Sequence, residues 1–306
     1  MEAQPEAFQT FLCRSAVYRL PVHKEGIRLV CGDLKDWRSQ AEKAVRLSLM
    51  EEDSTRRDYV RYWVTPLIRE DIFAELQEEE RRKCHEVAVS YYQKILSASP
   101  EYYDYDSVSG AELIEHALKA GLDEIAIEEG GGRFLPFLRH KLAYQEALVK
   151  GECILSHVSE PKRGAKYAKF LFELGWVCNN TGNARQAIGY YEQALSIDRE
   201  VYGERHPAVA TSLNNIGLAW HELGEHKKAI TYYEQALSID REVYGERHPA
   251  VARDLNNIGS AWYALGDSQR AKEYFQQAYS IFHEFSGDEH PNTKAVKEWL
   301  DGLEGT

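Results

Sequence analysis

The sequence predicts a mostly α-helical protein whose second half is a solenoid of three helix pairs followed by a capping helix. The main observation is a repeat, because the 21 residues YYEQALSIDREVYGERHPAVA at 190–210 recur unchanged at 232–252, an offset of 42 residues. The second observation is that each period holds two helical patterns separated by a glycine. Units of this length cannot bury their apolar faces alone, so they stack on one another.

Less conserved copies extend the repeat in both directions. The motif LNNIG at 213–217 recurs at 255–259 with the same offset, and a looser copy of the second helix occupies 274–291. A degenerate first helix, FLFELGW, lies at 170–176. The chain therefore contains three helix pairs.

Small residues and aromatic residues recur in a fixed register within each pair. Small side chains allow two helices to approach to about 8–10 Å, and one aromatic ring fills the remaining gap. The small residues are Gly175, Gly217 and Gly259 on the first helices, with Ala187, Ala229, Ala271, Ala194, Ala236 and Ala278 on the second, and the aromatic residues are Tyr191, Tyr233 and Phe275. Turns are predicted at Gly182, Gly224 and Gly266, and the next helix begins at Pro207, Pro249 and Pro291.

The LG…A…Y…A framework resembles the tetratricopeptide repeat. The period of 42 residues and the run GERHPAVA…LNNIG resemble the long-helix variant found in kinesin light chains and many bacterial repeat proteins. The resemblance covers residues 166–303, and 293–303 would form the capping helix. It implies a peptide or partner protein bound in the concave groove that the first helix of each pair lines.

Carrying the groove positions of such repeats onto this sequence gives four residues in each pair. They are Lys169, Phe172, Glu173 and Trp176; Thr211, Asn214, Asn215 and Leu218; and Arg253, Asn256, Asn257 and Ser260. Asparagine both donates to and accepts from a peptide backbone, which suits sequence-tolerant binding. The alternative is that one asparagine of each doublet faces the groove while the other caps a neighbouring turn.

The charges in this set define the expected ligand. A clamp for a terminal carboxylate needs Lys or Arg beside the asparagines, but only Lys169 and Arg253 are basic and Glu173 replaces an asparagine. A neutral or mixed-charge segment is therefore expected. The histidines that precede the prolines, His206, His248 and His290, recur one repeat apart, too far for a shared zinc ion, so no metal and no cofactor are predicted.

The first half of the chain is predicted to contain a different module. Helices at 8–17, near 26–31 and at 37–50 precede a β-branched and aromatic strand at 58–64 and a helix that begins at Pro66. The order RSAVYRLPV…DWRSQAEKAVRLSLMEE…YVRYWVTPLIRED resembles the winged-helix module of STAND-type signalling ATPases. The predicted domains are therefore this module at 1–76, a helical arm like that of the same family at 77–160, and the repeats at 161–306.

Two departures from that family bear on nucleotide binding. The sequence has no G-x-x-x-x-G-K-[ST] phosphate loop, and the glycine cluster at 130–132 lacks the lysine. Thr65 occupies the place, before Pro66, where the family presents a histidine to bound ADP. Two interpretations stay open: the chain is a fragment of a longer or split switch with an ATPase domain, or it is a decayed relative.

The composition predicts the cellular compartment of the protein and excludes some classes of function. The 306 residues carry a net charge of −12, which opposes loose binding to phosphate backbones, and no apolar run is long enough for a membrane span. The first eleven residues contain no basic cluster, so no signal peptide is predicted, and five widely spaced cysteines indicate reduced thiols in a cytoplasmic protein. No catalytic motif is present, so the protein is not expected to be an enzyme.

The leading hypothesis is a protein-interaction or sensor module of a signalling switch. A second hypothesis is DNA binding through the winged helix, which the mixed charge of the preceding helix disfavours, and a third is a self-associating scaffold. The basic residues that would support DNA binding are Arg56, Arg57, Arg61, Arg69, Arg81, Arg82 and Lys83, with Lys43 and Arg46 on the reading helix. Neither a nucleic acid nor a membrane is an expected partner.

Overall fold

The computed structural model describes residues 5–34, 36–54, 60–97, 105–158 and 164–304. The chain forms two compact units, Met1–Phe137 with His157–Ser159, and Leu138–Ser156 with Glu160–Thr306. The mostly helical fold with a repeat solenoid is confirmed. Domain boundaries after residues 76 and 160 stay a prediction.

The first unit begins with helices around a small antiparallel sheet. Its elements are α1 (Glu6–Ser15), β1 (Val22–His23), α2 (Lys24–Cys31), α3 (Trp37–Arg46), β2 (Met50–Asp53), β3 (Arg61–Val64) and α4 (Pro66–Ala74). The strand order is β1-β3-β2, with Val22 opposite Tyr62 and Met50 opposite Val64. Pro66 begins α4, where its missing N–H costs no helical hydrogen bond.

The predicted helix at 37–50 is shorter than expected. It ends at Arg46 because Ser48 has a left-handed backbone (φ 57°), and the Leu49 N–H turns back to the Ala44 carbonyl at 3.0 Å. The acidic residues after it therefore lie on strand β2 and not at a helix end. Within the predicted strand at 58–64, β3 begins at Arg61, while Arg56, Arg57, Asp58 and Tyr59 lie outside the described residues.

The first unit continues as a helical region. It contains α5 (Glu78–Ser97), α6 (Ser107–Ala120), α7 (Asp123–Glu129), a π-helical segment (Gly130–Phe134) and the start of α8 (Leu135–His140). Asp106 caps α6 by accepting from the N–H groups of Val108 and Ser109. The glycine cluster of the sequence therefore lies inside a helical path between α7 and α8.

The second unit contains the predicted solenoid. After α9 (Tyr144–His157) come the pairs α10 (Ala165–Asn180) with α11 (Ala184–Tyr202), α12 (Pro207–Glu222) with α13 (His226–Tyr244), and α14 (Pro249–Ala264) with α15 (Ser268–Ser286), followed by α16 (Pro291–Glu304). The turn glycines Gly182, Gly224 and Gly266 have positive φ angles of 82°, 77° and 84°. Successive first helices contact one another, α10 with α12 and α12 with α14, so they form the inner layer.

The glycine and the aromatic residue of each pair meet where the two helices cross. A Cβ atom added to Gly217 would lie 2.6 Å from Tyr233 Cε1 and 3.2 Å from the Ala229 carbonyl oxygen. The pairs Gly175–Tyr191 and Gly259–Phe275 have the same arrangement at 2.9 Å. Only glycine therefore leaves room for the buried ring.

Substituting alanine for Gly217 is expected to destabilise the repeats by about 1–3 kcal/mol, because the added methyl group overlaps a fully packed ring. The matched control is Gly189→Ala on α11, where a Cβ would meet nothing within 4 Å. That change should stabilise the helix by about 0.5–1 kcal/mol. Urea unfolding followed by circular dichroism measures both, and equal effects of the two substitutions would contradict the packing argument.

The described residues give two further findings on the chain. None of their helices is long and apolar enough to cross a membrane. The thiols of Cys13, Cys31, Cys84 and Cys178 are buried, and that of Cys153 is exposed. The four buried cysteines form no disulfide bond.

Candidate functional site

The inner layer of the solenoid carries the predicted groove residues at matching places on three helices. The offset of 42 residues aligns Lys169 on α10, Thr211 on α12 and Arg253 on α14. On each helix the other three predicted residues lie on the C-terminal side of this position, at the same spacing. Their side chains nevertheless have different neighbours, so the three pairs are not chemically equivalent.

One recess lies between the first and second pairs. Three predicted residues, Lys169, Phe172 and Thr211, line it together with Asp198 and Tyr202 of α11. Its volume is ≈ 360 Å³, and alanines from α10 and α12 form much of its wall. Lys169 is exposed at the edge, while Phe172 and Thr211 are half-buried. The recess is therefore mostly apolar with one cationic side.

The asparagine doublets connect successive repeats. The side-chain amide of Asn257 donates to Asn214 Oδ1 at 2.9 Å across the pair boundary. Asn215 cannot make the equivalent bond because Phe172 occupies the matching place, and its amide donates to the Thr211 carbonyl at 2.9 Å. Asn256 Oδ1 is buried without a hydrogen-bond partner among the described residues. At least one asparagine of the set is thus a structural link between repeats.

Two predicted residues of the first pair contact an arginine that lies outside the repeats. Glu173 is buried, and its Oε2 lies 3.4 Å from Arg139 Nη1. The same guanidinium lies 4.8 Å from the ring centre of Trp176, and Tyr144 packs edge-on against that ring. Burial raises the pKa of Glu173, and Arg139 partly opposes this shift. Glu173 and Trp176 therefore fix α10 against the preceding segment.

The positive charge of the third pair is neutralised locally. Arg253 Nη2 lies 3.1 Å from Asp240 Oδ2 and 3.1 Å from Asp254 Oδ1, and both carboxyl groups are buried. Burial raises the pKa of Asp254 to about 7. In the second pair Ser212 replaces Asp254 and its hydroxyl lies 3.4 Å from Asp198 Oδ2. Arg253 is therefore less available to a ligand than its position in the sequence predicts.

The last predicted positions, Leu218 and Ser260, lie at the level of Trp176 on their own helices. Leu218 is 38% exposed and Ser260 is half-buried. Within the predicted set, Lys169 and Leu218 are the two residues that are exposed as whole residues.

Each of the repeated histidines lies immediately before the first residue of a helix. The Nδ1 atom of His206 accepts from the N–H of Ala208 at 3.2 Å, and His248 and His290 make the same bond to the residue two positions ahead. His206 also stacks on Tyr202, with 4.2 Å between ring centres. Each histidine is therefore an N-cap. No group of three or more potential metal ligands occurs in the part of the chain that the structure describes.

Sequence reasoning missed Arg139, Asp240 and Asp254 as neighbours of the groove. Arg139 belongs to no repeat, so no periodic signal points to it. Asp254 could have been noticed, because Arg253 and Asp254 replace Thr211 and Ser212 immediately before two identical LNNIG motifs.

Comparison with known proteins identifies the repeats. Residues 167–242 and 218–284 match the tetratricopeptide repeat family model, so this part of the chain consists of tetratricopeptide repeats. No curated protein matches the chain in sequence.

Many solved structures have a partial likeness to this chain, and three examples follow. BtubC (BKLC) from P. vanneervenii has 19% identity and a TM-score of 0.49, covering 76% of this chain and 88% of its own. The MamA protein has 19% identity and a TM-score of 0.48, covering 66% and 96%. YrrB, a TPR protein with an unusual peptide-binding site, has 16% identity and a TM-score of 0.48, covering 69% and 91%.

Proposed function

We propose that the protein is a non-catalytic interaction module that binds a peptide segment of a partner protein along α10, α12 and α14. The observation that carries the proposal is the recess of ≈ 360 Å³ between the first two pairs, where predicted groove residues converge. A concave, mostly apolar recess with a few polar groups is the usual form of a ligand site. The tetratricopeptide repeats support the same class of function.

The contacts of the groove residues favour a neutral or mixed-charge segment. The cationic side at Lys169 suits one acidic or carbonyl group of the partner, and the alanines and Phe172 suit a small apolar side chain. Arg253 is already paired with two carboxyl groups, so it adds little net positive charge. A ligand held mainly by anionic groups is therefore disfavoured.

We also propose that the repeats are the sensor part of a cytoplasmic signalling switch. The order α1-β1-α2-α3-β2-β3 in the first unit is the order of elements in a winged helix, which supports that module. An ATPase domain in a longer or split parent protein completes the proposal. The exposed residues of α3 include Arg38, Glu42 and Arg46, a mixed set that does not favour DNA as the partner.

The test is a groove variant, Lys169→Glu with Leu218→Asp, because both side chains are exposed and neither makes a fold-defining contact described above. A partner is first captured by the wild-type chain from a lysate of the source cell, and its affinity is then measured by calorimetry. The groove variant is expected to bind at least about tenfold more weakly, since the apolar wall and the cationic edge are both replaced by carboxylates.

The matched control is Lys227→Glu with Val243→Asp on α13, which makes the same change of charge at exposed positions of an outer helix. This variant should bind the partner with unchanged affinity. If both variants lose binding equally, the effect is one of net charge, and if neither does, the partner binds elsewhere on the chain.

A further inference from the structure

The first helix of the third pair differs from the first helix of the second pair at one buried place. Helices α12 and α14 both begin with PAVA and contain the LNNIG motif, but Arg253 and Asp254 of α14 stand where α12 has Thr211 and Ser212. Asp240 lies on α13 at the position of Asp198 on α11. The exchange therefore adds a second carboxyl group and a guanidinium beside an aspartate that the preceding helix contains in both cases.

The geometry places two carboxyl groups around one cation. Asp254 is 0% exposed and Asp240 is 2% exposed, and one carboxyl oxygen of each lies 3.1 Å from the same Nη2 atom of Arg253. Arg253 contacts both, and its own side chain is 42% exposed. Asp254 Oδ2 is buried without a hydrogen-bond partner among the described residues. One guanidinium cannot balance two buried negative charges, so a bound proton is the simplest compensation.

The other titratable groups around the pair do not supply a second buried cation. On α13, Tyr233 is buried and neutral at ordinary pH, and the loop before α14 contributes His248, which caps that helix. On α15 the nearby residues His283 and Glu284 are exposed and pair outward with Asp288 and Arg247. The ionisable residues of α12, His221 and Glu222, lie in its last turn.

We propose that Asp240 and Asp254 share one proton, which joins α13 to α14 beside Arg253 and makes the third helix pair sensitive to pH. The pH-sensitive pair would lie at the end of the predicted groove that contains Arg253. It stands independently of the proposed partner binding, because its test uses the protein without any partner.

The direction of the effect follows from the shifted carboxyl groups. Burial raises the pKa of Asp254 to about 7 and also raises that of Asp240. A carboxyl group whose pKa is higher in the folded state contributes stability that is complete below its ordinary pKa, near 4. That contribution is lost as the pH rises from about 4 to about 7. Above pH 7 the folded pair is also ionised, so the stability no longer changes.

The experiment is amide hydrogen exchange on the full chain between pH 5 and pH 7, with rates corrected for the intrinsic effect of pH. The opening equilibrium constant of α13 and α14 is expected to rise at least about tenfold more in the wild type than in the double variant Arg253→Thr with Asp254→Ser. That variant gives the third pair the residues of the second, so its fold has a precedent in the same chain.

A second variant keeps the proposal testable if the double variant does not fold. Asp254→Asn keeps the shape of the carboxyl group and an oxygen that accepts from Arg253 but cannot ionise, so its opening constant should vary with pH as weakly as that of the double variant. If the wild type and both variants change equally with pH, the shared proton is absent and the proposal is wrong.

Discussion

Replacing Tyr233 by alanine is expected to destabilise the solenoid by about 3–5 kcal/mol, an effect large enough to melt the repeats at moderate temperature. The ring is 1% exposed and belongs to the core cluster that includes Val251, Leu255 and Phe275. It also fills the space that Gly217 leaves at the helix crossing. Removing it creates a cavity between two helices that cannot move closer without losing their other contacts.

The control for this prediction is Tyr233→Phe, because the third pair has Phe275 at the same place. That substitution removes only a hydroxyl group and should change the free energy of unfolding by less than about 1.5 kcal/mol. Urea unfolding monitored by circular dichroism compares the two variants. A loss of stability in the phenylalanine variant as large as in the alanine variant would show that the hydroxyl group matters more than the ring.

Arg19→Ala is expected to destabilise the first unit by about 3 kcal/mol. Glu112 on α6 is 4% exposed, and Arg19 Nη2 lies 2.5 Å from its Oε1, with Glu115 as a further partner of the same guanidinium. Without Arg19 a buried carboxylate is left uncompensated. His116 Nε2, 3.8 Å from Glu112, does not replace the cation, because burial lowers the pKa of His116 to about 2.

Arg28→Ala provides the control, because Arg28 pairs with Glu25 on the exposed surface of α2. Exposed pairs of this kind contribute little to stability, because water and salt screen the two charges. Hydrogen exchange of α5 and α6 reports the stability of the first unit directly. If the protection of these helices falls equally in both variants, burial of Glu112 does not set the cost.

The amino-acid sequence by itself determined the repeat architecture. The period of 42 residues, the glycine of each first helix and the aromatic residue of each second helix predicted the three pairs, and the structure places Gly217 against Tyr233 as expected. These features could be read because they depend on local periodicity and on contacts that recur at a constant separation. The N-cap role of the histidine before each proline was not predicted from the sequence, although each N-cap bond reaches only two residues ahead.

The short strands were less accessible to sequence reasoning. Strand β1 has only two residues, and β2 begins four residues after a helix whose pattern continues smoothly into it. Their assignment depends on pairing with β3, which lies farther along the chain. The residues of a short strand do not indicate which distant segment will pair with its backbone.

Only the tertiary structure decided which of the predicted groove residues have polar groups that are not already bound within the chain. The sequence placed Lys169, Asn257 and Arg253 on one surface by register, but it did not reveal that Asn257 bonds to Asn214 or that Arg253 is held by two buried aspartates. The physical reason is that periodicity fixes where a side chain begins, at its Cα atom. Where its polar end binds depends on neighbours in other helices, whose positions and charges exist together only in the folded chain.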